Sequence, residues 1–137
     1  MTSKKLKLLV TGCNGLVGSA IMEQSNLYLD KYKFVFIGSE VDLRDRATVD
    51  NLFYTEDPDC VIHTAARVGG IKRNKEQGYL QYYDNMTMNT NVLDSARRAR
   101  VRKLIAFSSL CAIPEWHQES FSEELLHDGE PYPARRS

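Results

Sequence analysis

Residues 6–22 read Leu-Lys-Leu-Leu-Val-Thr-Gly-Cys-Asn-Gly-Leu-Val-Gly-Ser-Ala-Ile-Met. Leu6, Leu8, Leu9 and Val10 form an apolar run of strand length. Gly12, Gly15 and Gly18 follow at three-residue spacing. Leu16, Val17, Ala20 and Ile21 then repeat at helical spacing, with Leu27 further on. A strand, a glycine turn and a helix in that order make a phosphate-binding device. Gly12 permits a tight turn, Gly15 lets the backbone approach a pyrophosphate, and Gly18 lets the helix lie close on the strand. The helix N-terminus adds unpaired N–H groups and a partial positive charge.

Working outward, the first helix is expected from about Leu16 to about Leu29. Lys33–Ile37 is a second strand, apolar from Phe34 to Ile37, as in parallel sheets covered on both faces. Glu40 stands about twenty residues beyond Gly18, where such folds place an acid on the adenosine ribose; a solvated loop carboxylate is the alternative. A helix follows over Arg46–Glu56, with Asp45 as its N-cap and Val49, Leu52 and Phe53 facing inward. Cys60–His63 is a third strand, and His63 is read as a packed strand residue rather than a catalytic one. Lys72–Gln77 is expected to be loop. A long helix then runs from about Gly78 to Arg100, and some of its asparagines, Asn85, Asn89 and Asn91, are expected to bond across to a strand end. The basic run from Arg97 to Lys103 suits the helix dipole. Leu104–Phe107 is the fourth strand, and Ser122 caps a short helix over Glu123–Leu126.

The alternation of strands and helices implies an α/β, doubly wound parallel sheet with right-handed crossovers, incomplete at about four strands, in spatial order 2-1-3-4. A chain of 137 residues is one domain by size. Its 18 basic and 18 acidic residues balance, which gives no support for a nucleic-acid partner. No apolar run is long enough for a signal peptide or a membrane span. Cys13, Cys60 and Cys111 match no zinc spacing. They point to a reduced, cytoplasmic protein without a metal site.

Four segments together resemble the extended short-chain dehydrogenases/reductases, and within them the GDP-L-fucose synthase (GDP-4-keto-6-deoxymannose epimerase-reductase) branch. They are residues 11–21, 63–71, 85–93 and 108–114, the last reading Ser-Ser-Leu-Cys-Ala-Ile-Pro. The resemblance covers nearly the whole chain but only about two-fifths of a family member. It therefore implies a partial NAD(P)-binding Rossmann-type domain over residues 1–137, without the substrate domain. It implies NADP(H) as cofactor, with NAD(H) left open because Ser39 and Glu40 stand where a basic residue often meets the 2′-phosphate. It places Gly12, Cys13, Asn14, Gly15, Leu16, Val17 and Gly18 at the pyrophosphate, and Asp42 and Leu43 at the adenine. Ala65, Ala66 and Val68 fall at the ribose and nicotinamide, and Phe107, Ser108 and Leu110 beneath the nicotinamide.

By the same resemblance Ser109 is the catalytic serine at the sugar C4 oxygen and Cys111 an acid/base at C3 and C5. A thiol suits that role because its pKa lies within reach of neutrality. The implied partner is a GDP-sugar, and a homodimer or self-association is expected through an exposed fourth strand. The family's Tyr-x-x-x-Lys is absent: no tyrosine here has a lysine four residues on, and Tyr132 is followed at that distance by Arg136. The expectation is a truncated chain that is inactive alone. The alternatives are a non-catalytic dinucleotide-binding module or part of another nucleotide-sugar epimerase or dehydratase.

Overall fold

A computed structural model of the chain describes residues 4–69, 71–109, 122–127 and 129. The elements run β1 (Leu6–Thr11), α1 (Leu16–Gln24), a 3-10 turn (Ser25–Tyr28), β2 (Tyr32–Ile37), α2 (Arg46–Glu56), β3 (Cys60–His63), α3 (Ile71–Arg98) and β4 (Lys103–Ala106), with a second 3-10 turn at Glu123–His127. All strand pairs are parallel and the order is β2-β1-β3-β4. This is the expected spatial order.

Strand pleating decides which side chains meet which helix. Leu9, Val61 and Ile37 face α2 and α3, where Val49, Phe53, Val92 and Ala96 complete a single core. Leu9, Val49, Val61 and Val92 are almost wholly removed from water, each worth roughly 1.5–3 kcal/mol of apolar burial. On the opposite face Leu8, Phe34 and Ile62 line a hollow together with Val17, Ala20 and Ile21 of α1. Phe34 and Phe36 stack there with centroids 5.5 Å apart. That face is thinly covered towards β4: Ile105 is 43% and Phe107 57% exposed. Among the described residues β4 ends the sheet.

Local signals explain most helix ends. The Asp45 carboxylate caps α2 by accepting from the N–H groups of Ala47 and Thr48 at 3.2 and 3.3 Å. At the other end Asp57 takes a left-handed conformation, with φ 42°, and Pro58 follows. Helix α3 closes in a Schellman arrangement. The Val101 N–H donates to Ala96 O at 3.0 Å and the Arg100 N–H to Arg97 O at 3.2 Å, with Arg100 at φ 55°. The basic residues near this end also pair across to acids. Arg98 reaches Asp50 of α2 and Asp94, and Arg46 reaches Asp94. Two of these half-exposed pairs, Arg98 with Asp50 and Arg46 with Asp94, link α2 to α3, but each contributes little.

Most boundaries fall within one or two residues of the sequence-based expectation, and two differ by more. Helix α1 stops at Gln24 rather than near Leu29 and tightens into the 3-10 turn, where the Ser25 hydroxyl donates to Met22 O at 2.7 Å. Residues 72–77, expected as loop, are the opening turns of α3. The polar run has no apolar period to reveal a helix, yet Lys, Arg, Asn, Glu and Gln all tolerate one. The backbone breaks at Gln77, φ −135° and ψ 23°, immediately before Gly78. The tail beyond Ser109, apart from residues 122–127 and 129, lies outside the described residues.

Candidate functional site

The site lies at the carboxyl ends of β1, β2 and β3, where their connections part to opposite sides of the sheet. The N–H groups of Gly12 and Cys13 both donate to Ile37 O, at 2.8 and 3.1 Å, so the turn is stitched to β2. Gly12 has φ 78°. A Cβ there would fall 2.5 Å from Ala65 N, and one on Gly18 would fall 2.2 Å from Gly12 O. Both glycines are therefore demanded by the chain's own packing.

Gly15 differs. A Cβ on it would meet nothing closer than Gly12 O at 3.4 Å. Gly15 lines a cavity of about 510 Å³ and is the N-cap of α1, with no side chain capping the helix. The first N–H groups of α1 are thus left without a side-chain acceptor. Space and donors together fit a pyrophosphate resting on the backbone.

The cavity brings together Gly12, Asn14 and Gly15 of the turn, Asp42 and Leu43 after β2, and Ala65 and Ala66 after β3. Other expected residues stand elsewhere. Cys13 is buried beneath the turn, and its thiol donates to Asn14 Oδ1 at 3.3 Å. Leu16 is exposed, and Val17 points into the hollow on the α1 face. These two can serve an anion only through their N–H groups. Gly18 seats α1 on the turn. Val68 is exposed and outside the cavity lining. Phe107, Ser108 and Ser109 leave β4 exposed, beside the end of β3, where Phe107 N–H donates to His63 O at 3.4 Å. Leu110 and Cys111 lie outside the described residues.

The walls are held by side chains of α3. Asn85 grips the Arg67 peptide from both sides, accepting from its N–H at 2.7 Å and donating to its carbonyl at 2.9 Å. Asn89 Oδ1 accepts from His63 Nε2 at 2.9 Å, while the Thr11 hydroxyl meets His63 Nδ1 at 2.6 Å. Buried in this way, His63 ties β1 to β3 and α3 and has no access to a substrate. Burial pushes its imidazole below the ordinary value, opposed by the Asn89 bond. Asn91 Nδ2 donates to the carbonyls of Leu43 and Arg44, both at 3.0 Å.

A charge cluster closes the rim. Arg44 donates to Asp42 through Nε at 2.9 Å and Nη2 at 2.8 Å, and approaches Asp84 at 3.4 Å. Asp84 also pairs with Arg67. The Arg44 side chain, then its N–H, holds the Asp42 carboxyl down at about 2. Arg67, Asp84 and Met88 line the cavity and were not expected from the sequence. No local signal could reveal them, since Arg67 and Asp84 meet across 17 residues and Arg44 and Asp84 across 40. Among the described residues no three His, Cys, Asp or Glu side chains gather as a metal site. No described helix is long and apolar enough to cross a membrane.

Residues 8–136 match the model of the NAD dependent epimerase/dehydratase family. The chain belongs to that family. It is 34% identical over 136 residues to the GDP-L-fucose synthase of Dictyostelium discoideum, covering 97% of this chain and 42% of that protein. It is 36% identical over 133 residues to the probable GDP-L-fucose synthase of Drosophila melanogaster, covering 93% and 40%. Among solved structures, the GDP-L-fucose synthetase of Naegleria fowleri bound to NADP superposes with a TM-score of 0.80 at 34% identity, over 98% of this chain and 40% of that one. The chain thus spans about two-fifths of the length of the curated relatives it matches.

Proposed function

We propose that these 137 residues are the nicotinamide-dinucleotide-binding part of a GDP-L-fucose synthase-like epimerase-reductase acting on a GDP-4-keto-6-deoxy sugar. The observation that carries the reading is the uncrowded Gly15 at an uncapped helix N-terminus, opening onto a cavity at the ends of β1, β2 and β3. The bound cofactor, NADP(H) or NAD(H), would supply the hydride for C4. The turn from Gly12 to Gly18 would seat its pyrophosphate at the N-terminus of α1, on the N–H groups of Leu16, Val17 and Gly18 that the turn does not use, and Asp42, Leu43, Ala65 and Ala66 would enclose the adenosine. By resemblance to the family, Ser109 would hydrogen-bond the C4 oxygen, and Cys111 would move protons at C3 and C5. Lacking Tyr-x-x-x-Lys, these 137 residues are expected to bind cofactor without turning over a keto sugar.

Gly15→Ala tests the reading. The new methyl meets no backbone closer than 3.4 Å, so stability should change by no more than about 1 kcal/mol, the cost of a poorer cap. Nucleotide affinity, followed by calorimetry with NADH and NADPH, should fall at least about tenfold because the methyl keeps the phosphates off the backbone. Undiminished binding in the variant would place the phosphates elsewhere.

A further inference from the structure

Three polar side chains from two elements converge over Gly38, at the end of β2. Asn14 Nδ2 donates to Ser39 Oγ at 3.4 Å. The Gly38 N–H donates to Glu40 Oε1 at 2.6 Å. A Cβ built on Gly38 would fall 2.6 Å from Asn14 Nδ2 and 2.6 Å from Glu40 Oε2. The amide and the carboxylate are therefore no more than about 5 Å apart, with buried main chain as their floor. Asn14, Gly38 and Ser39 line the same cavity as Gly15.

Among the described residues the corner holds no cation without an acidic partner. Both arginines that line the cavity are engaged by acids, Arg44 by Asp42 and Asp84, and Arg67 by Asp84. Glu40 is kept ionised by the Gly38 N–H, then by its own N–H, which hold its carboxyl below the ordinary range. A carboxylate, an amide and a hydroxyl can bond a ribose diol. The same carboxylate repels a phosphate.

We propose that Asn14, Ser39 and Glu40 read the adenosine ribose and select a free 2′-hydroxyl over a 2′-phosphate, so that the chain binds NAD(H) in preference to NADP(H). This rests on the dinucleotide reading above and goes beyond it. It sets the chain apart from the NADP-bound Naegleria structure. A doubly charged phosphate brought to within about 5 Å of a carboxylate loses roughly tenfold in affinity even at the dielectric of water.

The test is direct titration of the 137-residue chain with NADH and NADPH, followed by nicotinamide fluorescence. NADH should bind at least about tenfold more tightly. Glu40→Gln keeps an acceptor for the Gly38 N–H and removes the charge, and should narrow the ratio. Glu40→Lys should reverse it. Glu40 is exposed, and thermal melts of both variants verify that they fold. NADPH binding as tightly as NADH to the native chain overturns the proposal, as does an unchanged ratio in a folded Glu40→Lys. If neither nucleotide binds, the dinucleotide reading itself falls and takes this inference with it.

Discussion

Replacing Asn91 should loosen the site from behind, without touching a ligand. Its amide is 7% exposed and donates to two consecutive carbonyls, Leu43 and Arg44, each at 3.0 Å. Asn91→Ala removes two hydrogen bonds at about 1 kcal/mol each and leaves both carbonyls dry, for a loss of about 2–3 kcal/mol. Asn91→Asp keeps the shape but turns a carboxylate towards the two carbonyl oxygens, and should cost about 3–5 kcal/mol near neutral pH. In that variant the folded-state carboxyl is pushed above its unfolded value of about 3.9. The folded state then binds the extra proton, so the gap to the native chain should narrow as pH falls towards that value. Urea melts measure this. With a slope of about 2 kcal/mol per molar, Asn91→Ala should lower the midpoint by roughly 1 M or more. Nucleotide affinity should fall too, since Asp42 and Leu43 lose their anchor. An Asn91→Asp chain as stable as the native one near neutrality, or a gap that widens on acidification, would refute the anchoring role.

Three further outcomes follow from the geometry. Because burial sets the His63 pKa below its ordinary 6.5, its contribution to stability should be complete above about 6.5 and lost as pH falls through the folded value. Thermal melts across that window should show the loss, and His63→Gln should flatten it. The Asp42 carboxyl, held at about 2 by Arg44, should return towards 3.8 in Arg44→Gln; carbon-detected NMR titration reads this, and a native midpoint already near 3.8 would mean the pair does not form in solution. With Ile105 and Phe107 exposed beside the last strand, the native chain should self-associate at high concentration. Sedimentation should then show Ile105→Lys with Phe107→Lys shifted towards monomer, whereas a strictly monomeric native chain would remove that expectation.

The sequence was readable where the physics is local. The apolar runs marked β1, β2, β3 and β4 to within a residue, because unbroken apolar runs of strand length are what a parallel sheet is built from, even at β4, which lies largely open to solvent. Asp45 announced α2 because a carboxylate before a helical period caps it. The start of α3 was missed because residues 72–77 carry no apolar period, and a helix without one looks like a loop. For Glu40 the sequence left two readings open. The bond from the Gly38 N–H holds it over Gly38, which lines the cavity; the spacing allowed that placement without deciding it.

From sequence alone, this protein has a parallel α/β sheet opening on a glycine turn, since strand, turn and helix are each written within a few consecutive residues. Tertiary structure alone decided what walls the cavity: which partners Asn85, Asn89 and Asn91, some of them already expected to bond across, hold in place, and the closing of Asp42, Arg44, Arg67 and Asp84 into a charge cluster. These partners are mostly 17 to 48 residues apart. Parallel crossovers fold such distances back onto one sheet edge, and no periodicity along the chain records where they land.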